Sequence, residues 1–304
     1  MNKIWLSIIG IGEDGLAGLG EPAREAFDGA EIIIGGDRHL AILGDDKRPR
    51  LTWESPLRKT VDRIKGMKGR QVCVLATGDP MSYGIGVTLT REIGVEQCLV
   101  IPHPSAFSLA CARLGWPLAE IDCLTLHGRP LGLLNQHLRP HARLLILSED
   151  GETPKQIARV LKDGGYGDSR IIVFEHMGGA REKRHDGVAG TWRRRVKDLN
   201  TIAVACGAGP AAPRLMRPAG LPDELFRHDG QMTKRDVRAV TLAALAPAPG
   251  ETLWDVGAGA GSITLCAFTI KFSSEDSQGE GERGERWGSL TRVTFTFAEN
   301  SGKV

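Results

Sequence analysis

The sequence predicts an α/β fold, and three observations carry that expectation. Short apolar runs recur from residue 4 to residue 206. Stretches with one apolar helical face fall between them, and glycine or proline marks most of the joins. Glycine is abundant, at 39 of 304 residues, which suits many tight strand-to-helix turns.

The elements follow in order. IWLSII (4–9) is a first buried strand, ending at Gly10 and Gly12. Pro22 opens a helix that stops near Gly29. EIIIGG (31–36) is a second strand, and Ser55-Pro56 begins a helix with Leu57, Val61 and Ile64 on one face. QVCVLATG (71–78) and CLVIP (98–102) are further strands, with helices expected over 84–93 and 105–115. After Trp116-Pro117 the rhythm restarts. DCLTLHG (122–128), ARLLILS (142–148), RIIVFEH (170–176) and NTIAVAC (200–206) are strand candidates, and Thr153-Pro154 starts a helix. The proline-rich stretch from Pro210 to Pro222 is a linker, and a helix runs from Thr233 to about Leu245. The expected divisions are 1–117, 118–215, 216–265 and 266–304.

The last two divisions differ in kind from the rest. Trp254 to Ile263 (WDVGAGAGSI) suits a strand ending in a glycine-rich, ligand-facing turn. Such a domain needs over about 100 further residues to complete its sheet. An incomplete Rossmann-like segment is therefore expected, followed by an aberrant or disordered tail. SSEDSQGEGERGER in that tail is low-complexity and hydrophilic.

Bulk properties exclude several function classes. A net charge of +2 gives no global reason to expect nucleic acid. No apolar run reaches membrane-spanning length, and MNKIWLSIIGIG reads as a strand rather than a signal peptide. The six cysteines form no C-x-x-C pair and read as buried free thiols in a reducing cytoplasm. The histidines lack metal-ligand spacing, so no metal is expected.

Five motifs carry chemistry. Gly10-Ile-Gly12-Glu-Asp-Gly15 follows a strand, with Asp37 at the distance a dinucleotide fingerprint expects. Glu13 and Asp14 would oppose a pyrophosphate there, and a plain tight turn is the alternative reading. Thr77 to Gly86 (TGDPMSYGIG) is a glycine-rich loop in which Asp79 either attracts an amine or sulfonium or makes an ordinary Asp-Pro turn. His103-Pro104-Ser105-Ala106 offers Ser105 as an N-cap, with no neighbouring base to make it a nucleophile. His127-Gly128-Arg129-Pro130 and His176 to Arg184 follow strands, where open sheets bind ligands. Arg129, Arg181, Lys183 and Arg184 are either carboxylate partners or solvated loop charges.

Together, IIGIGEDG, EIIIGGDRHL, LATGDPMSYGIG, HPSAFSLACARLGWP and LHGRP resemble the tetrapyrrole methylases, in order and spacing. A second resemblance, to a C-terminal methylase domain of cobalamin (corrin ring) biosynthesis, covers HDGQMTKRDVRA and LWDVGAGAGSI. The first implies two α/β subdomains with S-adenosylmethionine in the cleft between them, and a homodimer. It implies cofactor binding at Gly78, Asp79, Pro80, Met81, Ser105 and Ala106. The substrate, a tetrapyrrole, would lie against Gly10, Gly12, His127, Arg129 and Arg181. The second resemblance implies another cofactor molecule at Thr233, Gly257, Gly259 and Gly261. The implied reaction is C5 methylation by the N-terminal unit, with C15 methylation and decarboxylation belonging to the incomplete domain. Another tetrapyrrole or RNA methylase of the same fold, a nicotinamide dehydrogenase and a non-catalytic binding protein are the rival readings.

Overall fold

The computed structural model describes residues 4–207, 209, 223, 232–245, 262–263 and 266. The chain divides into two compact units, Met1–Pro213 and Arg214–Val304. The first unit contains two five-stranded sheets, each with its own topology.

The first sheet is built from β1 (Leu6–Ile11), β2 (Ile32–Ile34), β3 (Arg50–Leu51), β4 (Val72–Thr77) and β5 (Cys98–Ile101), in the order β3-β2-β4-β1-β5. All its pairings are parallel. A parallel sheet is covered on both faces, which is why its strands read as unbroken apolar runs rather than alternating ones. Successive side chains serve opposite cores. Leu6, Ile8, Val72 and Val74 pack with Val61 and Ile64 of α3 (Leu57–Lys65) and Leu89 of α4 (Ile85–Ile93). Ile9, Ile11, Cys73 and Leu75 pack with Ala23 and Phe27 of α1 (Glu21–Asp28). A short helix, α2 (Asp37–Ala41), follows β2 and carries Arg38 and His39.

The second sheet comprises β6 (Asp122–Thr125), β7 (Arg143–Leu147), β8 (Arg170–Glu175), β9 (Lys183–Val188) and β10 (Asn200–Ala205). Its order is β6-β7-β10-β8-β9. Only β6 and β7 run parallel; the other pairs are antiparallel. One face packs Leu144, Ile146, Ile171, Val173 and Ile202 against Ile157, Ala158 and Leu161 of α6 (Thr153–Asp163). The other packs Leu145, Ile172, Phe174 and Ala203 against α5 (Ala106–Leu114), through Phe107, Ala110 and Cys111. Although α5 follows β5 of the first sheet, its apolar face belongs to the second sheet's core.

One expectation is corrected, and one strand was not anticipated. Lys183 and Arg184 do not lie in a ligand-facing loop. They begin β9, an edge strand whose polar sequence (KRHDGV) hides it, because one side of an edge strand faces solvent. Arg184 is taken up by Asp186 at 2.7 Å. The strand β3, two residues long, has no signal in the sequence.

In the second unit, α7 (Arg235–Leu245) starts two residues after Thr233, which is exposed. Arg238 is buried and meets Asp223 at 2.8 Å, and it donates to the Thr233 carbonyl. Gly257, Gly259 and Gly261 lie outside the described residues, as do the tail and the linker from Pro210 to Pro222.

Candidate functional site

The carboxyl ends of β1, β4 and β5 meet at one point on the first sheet. Gly78, just past β4, donates its amide to Ile11 (3.0 Å) and accepts from the amide of His103 (3.2 Å), just past β5. A Cβ at Gly10 would lie 1.9 Å from the Gly78 carbonyl and 2.5 Å from the His103 nitrogen, so only glycine fits. Gly78 has φ +59°, and a Cβ there would approach the Ser105 Cα to 3.3 Å. Gly10, Gly78, Ser105 and Ala106 are thereby brought to one place by backbone contact alone.

The loop from Gly78 to Gly86 is locally determined. The Asp79 carboxylate accepts the Met81 amide at 2.8 Å, and its carbonyl accepts the Ser82 amide at 3.1 Å. The Asp-Pro turn is therefore made. Gly84 and Gly86 fold back onto the Pro80 carbonyl, which accepts the Gly86 amide at 3.0 Å. The result pushes Met81 and Tyr83 outward; both side chains are nearly half exposed. Ser105 caps α5 by accepting the Ser108 amide at 3.1 Å, the structural role its sequence position suggested.

Tyr83 links this loop to the second sheet. It sits at φ +56°, unusual for an aromatic residue. Its hydroxyl donates to the Cys123 carbonyl of β6 at 3.0 Å, and its ring meets Phe107 edge-on at 6.0 Å. The Arg129 guanidinium lies 5.3 Å from the same ring's centre. Burial pulls the Arg129 pKa below the ordinary guanidinium value. His127 is exposed and pairs with Glu149 at 3.2 Å, which also accepts the Gly128 amide.

Glu13 is the residue that sequence reasoning did not assign. Its side chain is 11% exposed, and it accepts from His176 Nδ1 at 2.8 Å, from Arg181 at 3.3 Å and from Arg38. Burial pushes its carboxyl up, but the His176 hydrogen bond and the Arg38 charge outweigh that and hold it below the usual carboxylate range. The link spans the two sheets, since His176 and Arg181 follow β8. Arg113 of α5 braces the same loop through Glu182 at 2.8 Å. No signal in the sequence pairs positions so far apart.

A dinucleotide site is not formed at Gly10–Gly15. Gly15 opens a single 3-10 turn rather than a phosphate-binding helix, and Asp37 accepts the Thr52 hydroxyl at 2.9 Å. A model of the tetrapyrrole (corrin/porphyrin) methylases matches residues 6–191, more than half of the chain. The chain belongs to that family. A model of a precorrin methyltransferase domain matches residues 224–275. Over 93% of its length the chain is 43% identical to a precorrin-6Y C(5,15)-methyltransferase (decarboxylating) from Sinorhizobium. It is 40% identical, over 85% of its length, to the protein of that name from Mycobacterium tuberculosis. It spans 71% of the first relative's length and 65% of the second's. The crystal structure of a precorrin-6Y methylase of cobalamin biosynthesis from Archaeoglobus fulgidus is matched over its whole length by 68% of this chain, at 26% identity and TM-score 0.52.

Tetrapyrrole methylases use S-adenosylmethionine, and the Gly78 loop fits that molecule on three counts. Glycine leaves backbone open at Gly78, where any Cβ would crowd Ser105. Met81 and Tyr83 offer exposed apolar surface. The segment from Thr77 to Gly86 contains Asp79 but no lysine or arginine, so a sulfonium meets no like charge from it.

Proposed function

We propose that this tetrapyrrole methylase acts on precorrin-6Y, and that its first unit transfers a methyl group to C5 of the ring. The observation that carries this reading is the 43% identity, over 93% of the chain, to a protein with that activity. When bound, S-adenosylmethionine supplies an activated methyl group on a good leaving group. Gly78, Asp79, Pro80, Met81, Ser105 and Ala106 would hold it. Gly10, Gly12, His127, Arg129 and Arg181 orient the ring and meet its carboxylates. Fixing both partners in line is worth about 7–11 kcal/mol in favourable cases. C15 methylation and decarboxylation fall to the second unit, through Thr233 and Gly257, Gly259 and Gly261. The working form is a homodimer in the cytoplasm; sedimentation of the purified chain tests the assembly.

The direct test is to incubate the chain with S-adenosylmethionine and precorrin-6Y and weigh the product. Gain of one methyl group with the carboxyl retained assigns C5 chemistry to the first unit alone. Two methyl groups with loss of carbon dioxide extend the activity to the second unit. An unchanged mass refutes the reading.

A further inference from the structure

One side chain in the Gly78 to Gly86 loop is not explained by the turn it sits in. Tyr83 has φ +56°, in the left-handed region. Glycine takes that conformation freely and asparagine at small cost, whereas an aromatic residue is strained there. Glycine already stands next to it at position 84. Burial does not offset the strain, since the Tyr83 side chain is nearly half exposed. Backbone outliers of this kind persist where their surroundings hold them, and they cluster at ligand clamps and active sites.

What holds Tyr83 lies outside its own loop. The hydroxyl donates to the Cys123 carbonyl of β6 at 3.0 Å. Phe107, buried in α5, meets the ring at 6.0 Å with the two planes 75° apart. Together these contacts set the position and tilt of the ring. The half-buried Arg129 places its guanidinium 5.3 Å from the ring centre. A π face attracts a cation but carries no net charge, so this contact places the guanidinium without neutralising it. The backbone of Arg129 is set separately, by its amide donating to the Leu126 carbonyl at 3.1 Å and by Gly128 at φ +65°.

We propose that Tyr83 is a positioning residue: it stations the Arg129 guanidinium where a carboxylate of the tetrapyrrole binds, and so ties the substrate contact to the loop that takes the methyl donor. This role rests on the functional reading above and is exerted through Arg129, not on the reacting atoms. It gives the strained tyrosine a use that a glycine at the same position could not serve.

The test is a double-mutant cycle in the full chain, with absorption titration for precorrin-6Y and calorimetry for S-adenosylmethionine. Tyr83→Asn removes the ring with a residue that accepts the left-handed φ, and thermal melting verifies its fold. It should weaken precorrin-6Y binding about three- to thirtyfold and hold S-adenosylmethionine within about twofold of the wild type. In an Arg129→Gln background the same substitution should change precorrin-6Y binding by less than about twofold. Tyr83→Phe keeps the ring and should retain most of the affinity. If the asparagine variant does not fold, Tyr83→Leu carried through the same cycle is held to the same outcome. Equal weakening in both backgrounds, a phenylalanine variant no better than the asparagine one, or a parallel loss of cofactor affinity would overturn the role. A wild-type chain that holds S-adenosylmethionine but not precorrin-6Y would overturn the functional reading, and the role with it.

Discussion

At Gly10 and Gly12, two residues apart, the same added methyl group meets different obstacles. The Gly10→Ala Cβ collides with backbone, at 1.9 Å from the Gly78 carbonyl. The Gly12→Ala Cβ meets only the side-chain ends of Asp14 and His103, both at 2.6 Å, which can rotate away. Gly10→Ala is expected to cost about 1–3 kcal/mol and to weaken S-adenosylmethionine binding, and Gly12→Ala under about 1 kcal/mol. Urea unfolding and calorimetry check both. A second prediction concerns His39, whose pKa is lowered to about 4 by burial and then by the Arg38 charge. The unfolded chain binds this proton near pH 6.5 and the folded chain does not, so stability falls as pH drops from about 6.5 towards 4. The loss from this residue is about 3 kcal/mol, and His39→Asn should flatten that part of the pH profile. Glycine positions such as these were legible in the sequence because a turn leaves a compositional mark. Glu13 was not, because its partners Arg38, His176 and Arg181 are set by the fold rather than by spacing.

The legibility of an element follows how it is buried. The strands β1, β4, β7, β8 and β10 are almost wholly buried and stand out as apolar runs. The edge strand β9 alternates exposed and half-buried positions and carries lysine, arginine, histidine and aspartate, so it reads as a solvated loop. The two strands should differ in the same way under mutation. Ile146→Ala removes a fully buried side chain from β7 and is expected to cost about 2–5 kcal/mol. Val188→Thr, at the exposed end of β9, should shift stability by less than about 0.5 kcal/mol. Thermal unfolding of the two variants side by side tests the contrast. Helix α5 was visible as an element, but not its allegiance: nothing in SAFSLACARLG says that Phe107 and Ala110 pack under the second sheet.

For the molecule as a whole, the sequence revealed an α/β rhythm that restarts after Trp116-Pro117, and the family resemblance supplied two subdomains with a cleft. It did not reveal that the two sheets differ in topology, since apolar runs look alike in parallel and antiparallel pairings. That difference has a consequence for the order in which the molecule can be made. The first sheet has all its strands once residue 101 is synthesised. The second cannot close then, because β10, its last strand in sequence, lies in the middle, between β7 and β8. At ordinary synthesis rates the roughly one hundred intervening residues take about 5–20 s. From the moment each is made until β10 arrives, β7 and β8 each lack a neighbour, with apolar surface and open edges, while the strands of the first sheet are all present. The nascent chain is therefore most open to mispairing and chaperone capture between residues 147 and 200, and translational pauses placed there should lower the yield of native protein more than pauses elsewhere in the unit.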